Sequence, residues 1–176
     1  ADLLCTLARV ALQHGGDAVA ALEWFEKALL EDPSSVAAAE GTRQVLLAEG
    51  DWPALGKFLE GQAGRASAPR LRLALGLKRA EFAGRRLGDP EACRRLLEDA
   101  CNVAPNYLPA LEALIAQLGQ LGDHRARAER LEQASSIVES PEAAACYNLR
   151  AASAWAQAGA SDESVVALQR TAGTGP

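Results

Sequence analysis

Apolar residues recur along this chain at the three- and four-residue spacing of amphipathic helices, and short polar turns interrupt them at regular intervals. The pattern predicts an all-α protein, since Val165-Val166 is too short for a strand and lies in helical context. The predicted helices span residues 2–14, 18–31, 35–48, 52–66, 69–86, 90–103, 107–120, 124–138, 141–158 and 162–171. We find no apolar run of about 18 residues, so no transmembrane helix and no membrane insertion are expected.

A Gly-Asp pair recurs in the turns between successive helices. Glycine ends the first helix by taking a left-handed conformation, and aspartate caps the next helix by accepting its free N–H groups. The pairs are Gly16-Asp17, Gly50-Asp51, Gly88-Asp89 and Gly122-Asp123, and a weaker fifth copy is Gly159 with Asp162. The repeating unit is therefore a helix–turn–helix of about 34 residues, with four additional residues in the third unit.

The second helix of the unit carries its own pattern, namely a small residue, a large one four positions on, alanine three further on and proline five after that. The first and third units have Ala21, Phe25, Ala28 and Pro33, and Cys93, Leu97, Ala100 and Pro105. With the 34-residue period, this spacing resembles the tetratricopeptide repeat (TPR). The resemblance implies an α-α superhelix, a TPR-like solenoid of about five antiparallel helix pairs.

The first helices depart from the family. Its usual tryptophan, leucine-glycine and tyrosine become Cys5, Ala8, Arg9 and Leu12 in the first unit. We therefore expect a divergent TPR-like array that is irregular near residues 66–88, with another helical solenoid or a plain helical bundle as alternatives. The predicted single domain, 1–176, comprises units at about 2–33, 35–67, 69–105, 107–139 and 141–171. The absence of methionine suggests a segment of a longer protein.

Charge is distributed unevenly. The formal net charge is -5, yet residues 65–95 carry nine basic and three acidic side chains, so this stretch is a basic island between acidic flanks. Two interpretations stay open: a solvated face paired with the chain's own acids, or a docking surface for an acidic peptide. Nucleic acid is not expected as a partner, because the overall charge is negative and Phe82 is the lone aromatic of the island.

Catalytic and metal-binding constellations are not evident. His14 and His124 both lie next to turns, no glycine-rich phosphate loop occurs, and no CxxC pair is present. Cys93 and Cys101 are too far apart on one helix for a disulfide and are expected in the core. We therefore expect no enzyme activity and no cofactor, and cysteines used in this way indicate a reducing compartment such as the cytoplasm.

The resemblance implies a binding function, because in tetratricopeptide proteins the first helices of successive units line a concave groove for extended peptides. The candidate partner-binding residues are Gln44, Lys78, Arg79, Phe82, Arg85, Arg86 and Glu112. The predicted function is a non-catalytic scaffold whose protein or peptide partner has an acidic segment. The alternatives are a structural spacer or self-association repeat, and a regulatory domain of a larger enzyme or complex.

Overall fold

The computed structural model describes residues 1–172, and this range forms ten α-helices, one π-helical turn and no strand. The helices are α1 (Asp2–Gly15), α2 (Ala18–Glu31), α3 (Val36–Glu49), α4 (Trp52–Arg65), α5 (Pro69–Phe82), α6 (Pro90–Val103), α7 (Leu108–Leu121), α8 (His124–Ile137), α9 (Pro141–Gln157) and α10 (Ser161–Ala172). The predicted all-α architecture is confirmed. Apart from the end of α5, every predicted boundary falls within one residue of the observed one.

The Gly-Asp turns have the predicted geometry. Gly16 has φ +60° and Gly122 has φ +72°, a left-handed conformation that residues with a Cβ rarely adopt. The carboxylates of Asp17 and Asp123 then accept the N–H groups of the third residue of α2 and of α8, at 2.9 and 3.1 Å. Gly159 is left-handed too, but α10 already begins at Ser161, so Asp162 lies inside the first turn rather than at the cap.

Contacts within the chain divide it into two compact units, the first covering residues 1–62 and the second starting at residue 63. The border lies inside α4 and not at one of the predicted repeat borders. The expected single domain therefore stays a prediction, and each unit is described by itself.

In the first unit, α2 packs against both α1 and α3. The seam between α2 and α3 contains one very close contact, in which the ring of Phe25 lies directly over Gly41. A Cβ built at Gly41 would overlap ring carbons of Phe25, so only glycine admits the ring at this separation. Ala21, one turn before Phe25, is fully buried in the same cluster, as its small size predicts.

In the second unit, each helix from α5 to α10 packs on the next one along the chain. One continuous core runs through these helices. Its largest fully buried side chains are Leu111, Leu114, Ile115, Leu118 and Leu131. Four of these five lie on α7, so α7 supplies the centre of the core and its opposite face is left for other contacts.

The four additional residues of the third helix–turn–helix repeat, residues 69–105, lengthen the first helix of that repeat. The α-helix predicted over 69–86 ends instead at Phe82 and continues as the π-helical turn Ala83–Leu87. The N–H of Asp89 closes this turn on the carbonyl of Ala83, at 3.0 Å. Within the turn, a Cβ at Gly84 would lie 3.2 Å from Sγ of Cys93, so glycine lets the wide turn lie close against α6.

Replacing Gly41 should test the seam of the first unit. We expect Gly41→Ala to destabilise the fold by about 1–3 kcal/mol, because the new methyl group must displace the Phe25 ring. Denaturant unfolding followed by circular dichroism measures the change. In the double variant with Phe25→Leu, the loss should be smaller than the sum of the two single losses, since a leucine relieves the overlap.

The matched control is Gly61→Ala on α4, where a Cβ would meet nothing within 4 Å. There the same change should stabilise by up to about 1 kcal/mol, because alanine favours the helix. Equal effects at positions 41 and 61 would contradict the close contact.

Candidate partner-binding groove

A groove of about 660 Å³ opens in the second unit between α5 with its π-turn, the N-terminal half of α6, and α7. Most of its lining is apolar, with acidic, basic and amide side chains among it. The lining residues are Leu77, Ala80, Glu81, Gly84, Arg85, Pro90, Cys93, Leu97, Pro109, Ala113, Ala116, Gln117 and Gln120. This volume is within the range of about 300–1,000 Å³ typical of ligand sites.

The α7 wall follows from the spacing of small residues. Pro109, Ala113, Ala116 and Gln120 recur every three or four positions and so occupy one face of the helix. Since none of the first three has a long side chain, the wall stays open. The leucines and the isoleucine of α7 bury the other face, so the same helix both anchors the core and shapes the groove.

Charges stand on the α5 side of the groove. Lys78 and Glu81 share one face of α5 by their spacing, and Glu81 accepts a hydrogen bond from Arg85 of the following π-turn at 2.8 Å. Both partners of this ion pair are largely exposed, at 59% and 78% of their side-chain surface. Such a pair contributes little stability, so Arg85 can exchange Glu81 for another carboxylate at low cost.

The buried side-chain amide of Gln117 holds the floor of the groove in place. Gln117 is almost fully buried, and its Nε2 donates to the carbonyl of Pro90 at 3.1 Å. Pro90 is the first residue of α6, so this bond ties α7 to the start of α6 across the groove. Because the Pro90 carbonyl can only accept, the amide nitrogen of Gln117 must face it.

The predicted basic residues of α5 separate into two groups. Arg85 lines the groove from the π-turn, and Lys78 is exposed on α5. Arg79 is half-buried and Arg86 is exposed on the π-turn, and both make contacts within the chain. The α-helix predicted over 69–86 ends at Phe82, and the wider π-turn after it changes the rotation between successive residues.

Phe82 does not present its ring as a contact surface. It is 8% exposed and makes contacts within the chain. Burial of a large aromatic side chain stabilises the unit, so the structure gives Phe82 a packing role, and the interpretation of its ring as a groove contact has no support from its position.

Glu112 is engaged inside the second unit. Its carboxylate on α7 accepts hydrogen bonds from the Tyr147 hydroxyl and from Arg150, both on α9, the latter at 3.2 Å. Burial raises the pKa of Glu112, but the hydrogen bonds from Arg150 and Tyr147 outweigh this effect, and its net pKa is lowered. The hydrogen bond to Glu112 in turn raises the pKa of Tyr147. The carboxylate therefore links two first helices, whatever else it binds.

Gln44 lies on α3 in the first unit, where its amide donates to Glu40 at 3.0 Å. Arg43 donates to the same carboxylate, so Gln44 belongs to a local surface cluster. It is not among the residues that line the groove of the second unit.

Of the residues that line the groove, Arg85 alone was among the predicted binding residues, and Glu81 and Gln117 are two polar ones that were missed. The i,i+4 spacing of Glu81 and Arg85 is a signal that could have identified the ion pair on the rim. No local signal identifies Gln117, since its partner lies 27 positions away on another helix.

The groove's thiol is not activated for nucleophilic chemistry. Burial raises the pKa of Cys93, so the thiol remains protonated at neutral pH. Among residues 1–172, no three histidine, cysteine, aspartate or glutamate side chains are grouped so that they could hold a metal ion. Within the same range no helix combines the length and hydrophobicity needed to cross a bilayer.

Comparison with solved structures identifies the fold. The chain is similar to a crystal structure of MamA, with a TM-score of 0.53 and 17% identity over 98% of this chain and 90% of that one. A second MamA structure, labelled AMB-1, has a TM-score of 0.55 with 16% identity over 98% and 87% of the two chains. The crystal structure of YrrB, described as a TPR protein with an unusual peptide-binding site, has a TM-score of 0.53 with 17% identity over 98% and 85%.

No protein-family model matches the sequence, and the search of curated proteins found no match. The structural similarity is nevertheless sufficient for the fold. This chain has a TPR-like helical repeat fold, as the spacing of its second helices predicts.

The link between α7 and α9 should be sensitive to pH. Because the folded-state pKa of Glu112 lies below its ordinary value of 4.5, its contribution to stability is complete above that value and is lost as the pH falls through the folded pKa. Melting temperatures of the wild type and Glu112→Gln should therefore differ at neutral pH and converge in acid.

Glu139→Gln is the control, because Glu139 is exposed in the turn between α8 and α9. It should follow the wild type at every pH. A constant difference between Glu112→Gln and the wild type down to low pH would contradict the assignment.

Proposed function

We propose that this chain is a non-catalytic protein-binding module that holds an extended, acidic segment of a partner protein in the groove of its second unit. The observation that carries the proposal is the pairing of a preformed, largely apolar groove with two exposed cations, Arg85 on the π-turn that lines it and Lys78 on the preceding α5. The peptide-binding site named for YrrB, which has the same fold, supports this class of function.

Charge gives the groove its preference. Exposed Lys78 and Arg85 lie within the basic island, residues 65–95, and attract carboxylates at a distance. A carboxylate that reaches Arg85 replaces Glu81, whose exposed ion pair is weak. The guanidinium of Arg85 can hold the incoming carboxylate by two parallel hydrogen bonds. These steps favour a partner segment with aspartate or glutamate beside the rim.

Shape gives the groove its second requirement. Its walls expose Leu77, Ala113 and Ala116, which bury an apolar side chain of the partner between α5 and α7. An acidic segment that carries a leucine or a similar residue between its carboxylates satisfies both requirements. The chemistry is recognition alone, and the groove's own thiol stays protonated.

Charge reversal of the rim should weaken binding of such a segment. The probe is a fluorescein-labelled peptide in which glutamates flank a leucine, and fluorescence anisotropy measures its affinity. Lys78→Glu with Arg85→Glu should raise the dissociation constant by about tenfold or more and flatten its dependence on salt. Glu81→Gln should have the opposite effect, because it releases Arg85 from its internal partner.

The control combines Lys57→Glu with Arg125→Glu, an equal change of charge outside the groove. An equal loss of affinity in the control would show that the attraction is non-specific. Unchanged affinity in the rim variant would indicate that the basic island is a solvated surface and not a binding site.

Filling the groove tests the apolar requirement without altering charge. Ala116 is exposed on α7 and lines the groove. Ala116→Trp should leave the helical circular dichroism spectrum unchanged and raise the dissociation constant for the same peptide by about tenfold. Ala156→Trp, at an exposed position of α9 outside the groove lining, is the control and should bind as the wild type does. Normal binding by Ala116→Trp would place the peptide elsewhere.

A further inference from the structure

One position is buried in all four of the earlier second helices. It lies eight residues after the aspartate that caps the helix and holds a large apolar side chain in each of the four earlier copies. These residues are Phe25, Leu59, Leu97 and Leu131, and all four are buried. In the first unit the contact is visible directly, since Phe25 covers Gly41 of the following helix.

The last helix carries the same feature uncovered. Leu168 stands eight residues after Ala160, which precedes α10, yet Leu168 is 47% exposed where Leu131 is 0% exposed. Val165, one turn before it on the same side of α10, is exposed as well, and so is Val166 on another side of the helix. Val166 occupies a position that holds a charged residue in every earlier second helix, namely Glu23, Lys57, Arg95 and Glu129. The exposed face of α10 is thus more apolar than solvent contact favours.

The first helix has a matching feature. Leu3, Leu7 and Val10 form one stripe along α1 by their spacing and are 74%, 39% and 45% exposed. Counted back from the left-handed glycine, the corresponding residues of α3 are Ala37, Gly41 and Gln44, and those of α7 are Pro109, Ala113 and Ala116. On α1, large apolar residues therefore take the place of the small or polar residues of α3 and α7. Among the described residues, no second helix precedes α1.

We propose that α10 of one copy of this chain packs against α1 of a second copy. This contact between molecules has the same order as contacts within the chain. There, the second helix of one repeat packs on the first helix of the next repeat, as α2 does on α3 and α6 on α7. It removes both exposed apolar faces from water at once. The side chains are large on both sides, so the two helix axes lie farther apart than those of α2 and α3.

Charge at the helix ends complements this arrangement. Successive helices of the repeat run antiparallel, which places the C-terminal end of α10 beside the N-terminal end of α1. Arg170, which also pairs with Glu132 at 3.0 Å within the chain, then lies at the same end of the contact as Asp2, and Asp162 and Glu163 lie at the opposite end. A parallel arrangement would instead bring Asp162 and Glu163 towards Asp2. The antiparallel order is therefore favoured by the same end charges that favour each isolated helix.

The test uses the fact that the two faces differ. Mass is measured by sedimentation over a wide concentration range for the wild type, Leu7→Glu and Leu168→Glu. The wild type should associate with increasing concentration, and each variant alone should weaken association by about tenfold or more, because every contact needs one α1 face and one α10 face.

An equimolar mixture of the two variants should form heterodimers and nothing larger. Leu7→Glu retains its α10 face and Leu168→Glu retains its α1 face, so one intact contact is possible per pair. Leu71→Glu, at an exposed position of α5, is the matched control and should associate as the wild type does. Circular dichroism verifies that all variants remain helical.

Three results would overturn the proposal. The wild type could remain monomeric at every concentration. Leu7→Glu could associate normally while Leu168→Glu does not, which would indicate a symmetric α10–α10 contact. The mixture could contain no heterodimer, which would exclude pairing of α1 with α10.

Discussion

The turn formed by a left-handed glycine and a capping aspartate is the constraint on which the rest of each repeat depends. Glycine at Gly16 and Gly122 reverses the chain at a φ that other residues avoid, and the aspartate after it sets the first residue of the next helix. Because each residue of an α-helix turns by about 100°, the start of the helix sets the direction of every later side chain. A cap displaced by one residue would turn Phe25 away from Gly41.

The third helix–turn–helix repeat, residues 69–105, shows that this constraint tolerates an insertion. Four additional residues rotate an α-helix by slightly more than one full turn, so most of the helical phase survives. The wide turn Ala83–Leu87 absorbs the remainder and delivers the chain to Gly88 in the usual left-handed conformation. The longer helix also extends the rim, and Arg85 lines the groove from within this turn. The irregularity and the most distinctive charge of the groove thus have one origin.

The sequence was sufficient to predict those features that local chemistry determines. Helix boundaries follow from turns, caps and spacing within one helix pair, and the structure confirms them. The burial of Phe82 was missed, because nothing within its own helix shows which face the neighbouring helices cover. Pairing of Glu112 with Arg150 was missed as well, since the two residues are 38 positions apart and only the packing of α7 and α9 brings them together. Long-range polar contacts of this kind leave no periodic signal.

A single position shows how one repeat supports different contacts. Nine residues before its left-handed glycine, α3 has Gly41, α7 has Ala113 and α1 has Leu7. Glycine lets an aromatic ring reach the helix backbone and closes the seam. Alanine packs against the core beside Leu97 and leaves room for the groove in front of it. Leucine leaves an exposed side chain that gains stability only when another surface covers it. At one position of the same backbone frame, the side chain thus grows from the glycine of a closed seam to the alanine of a groove wall and the leucine of an exposed face.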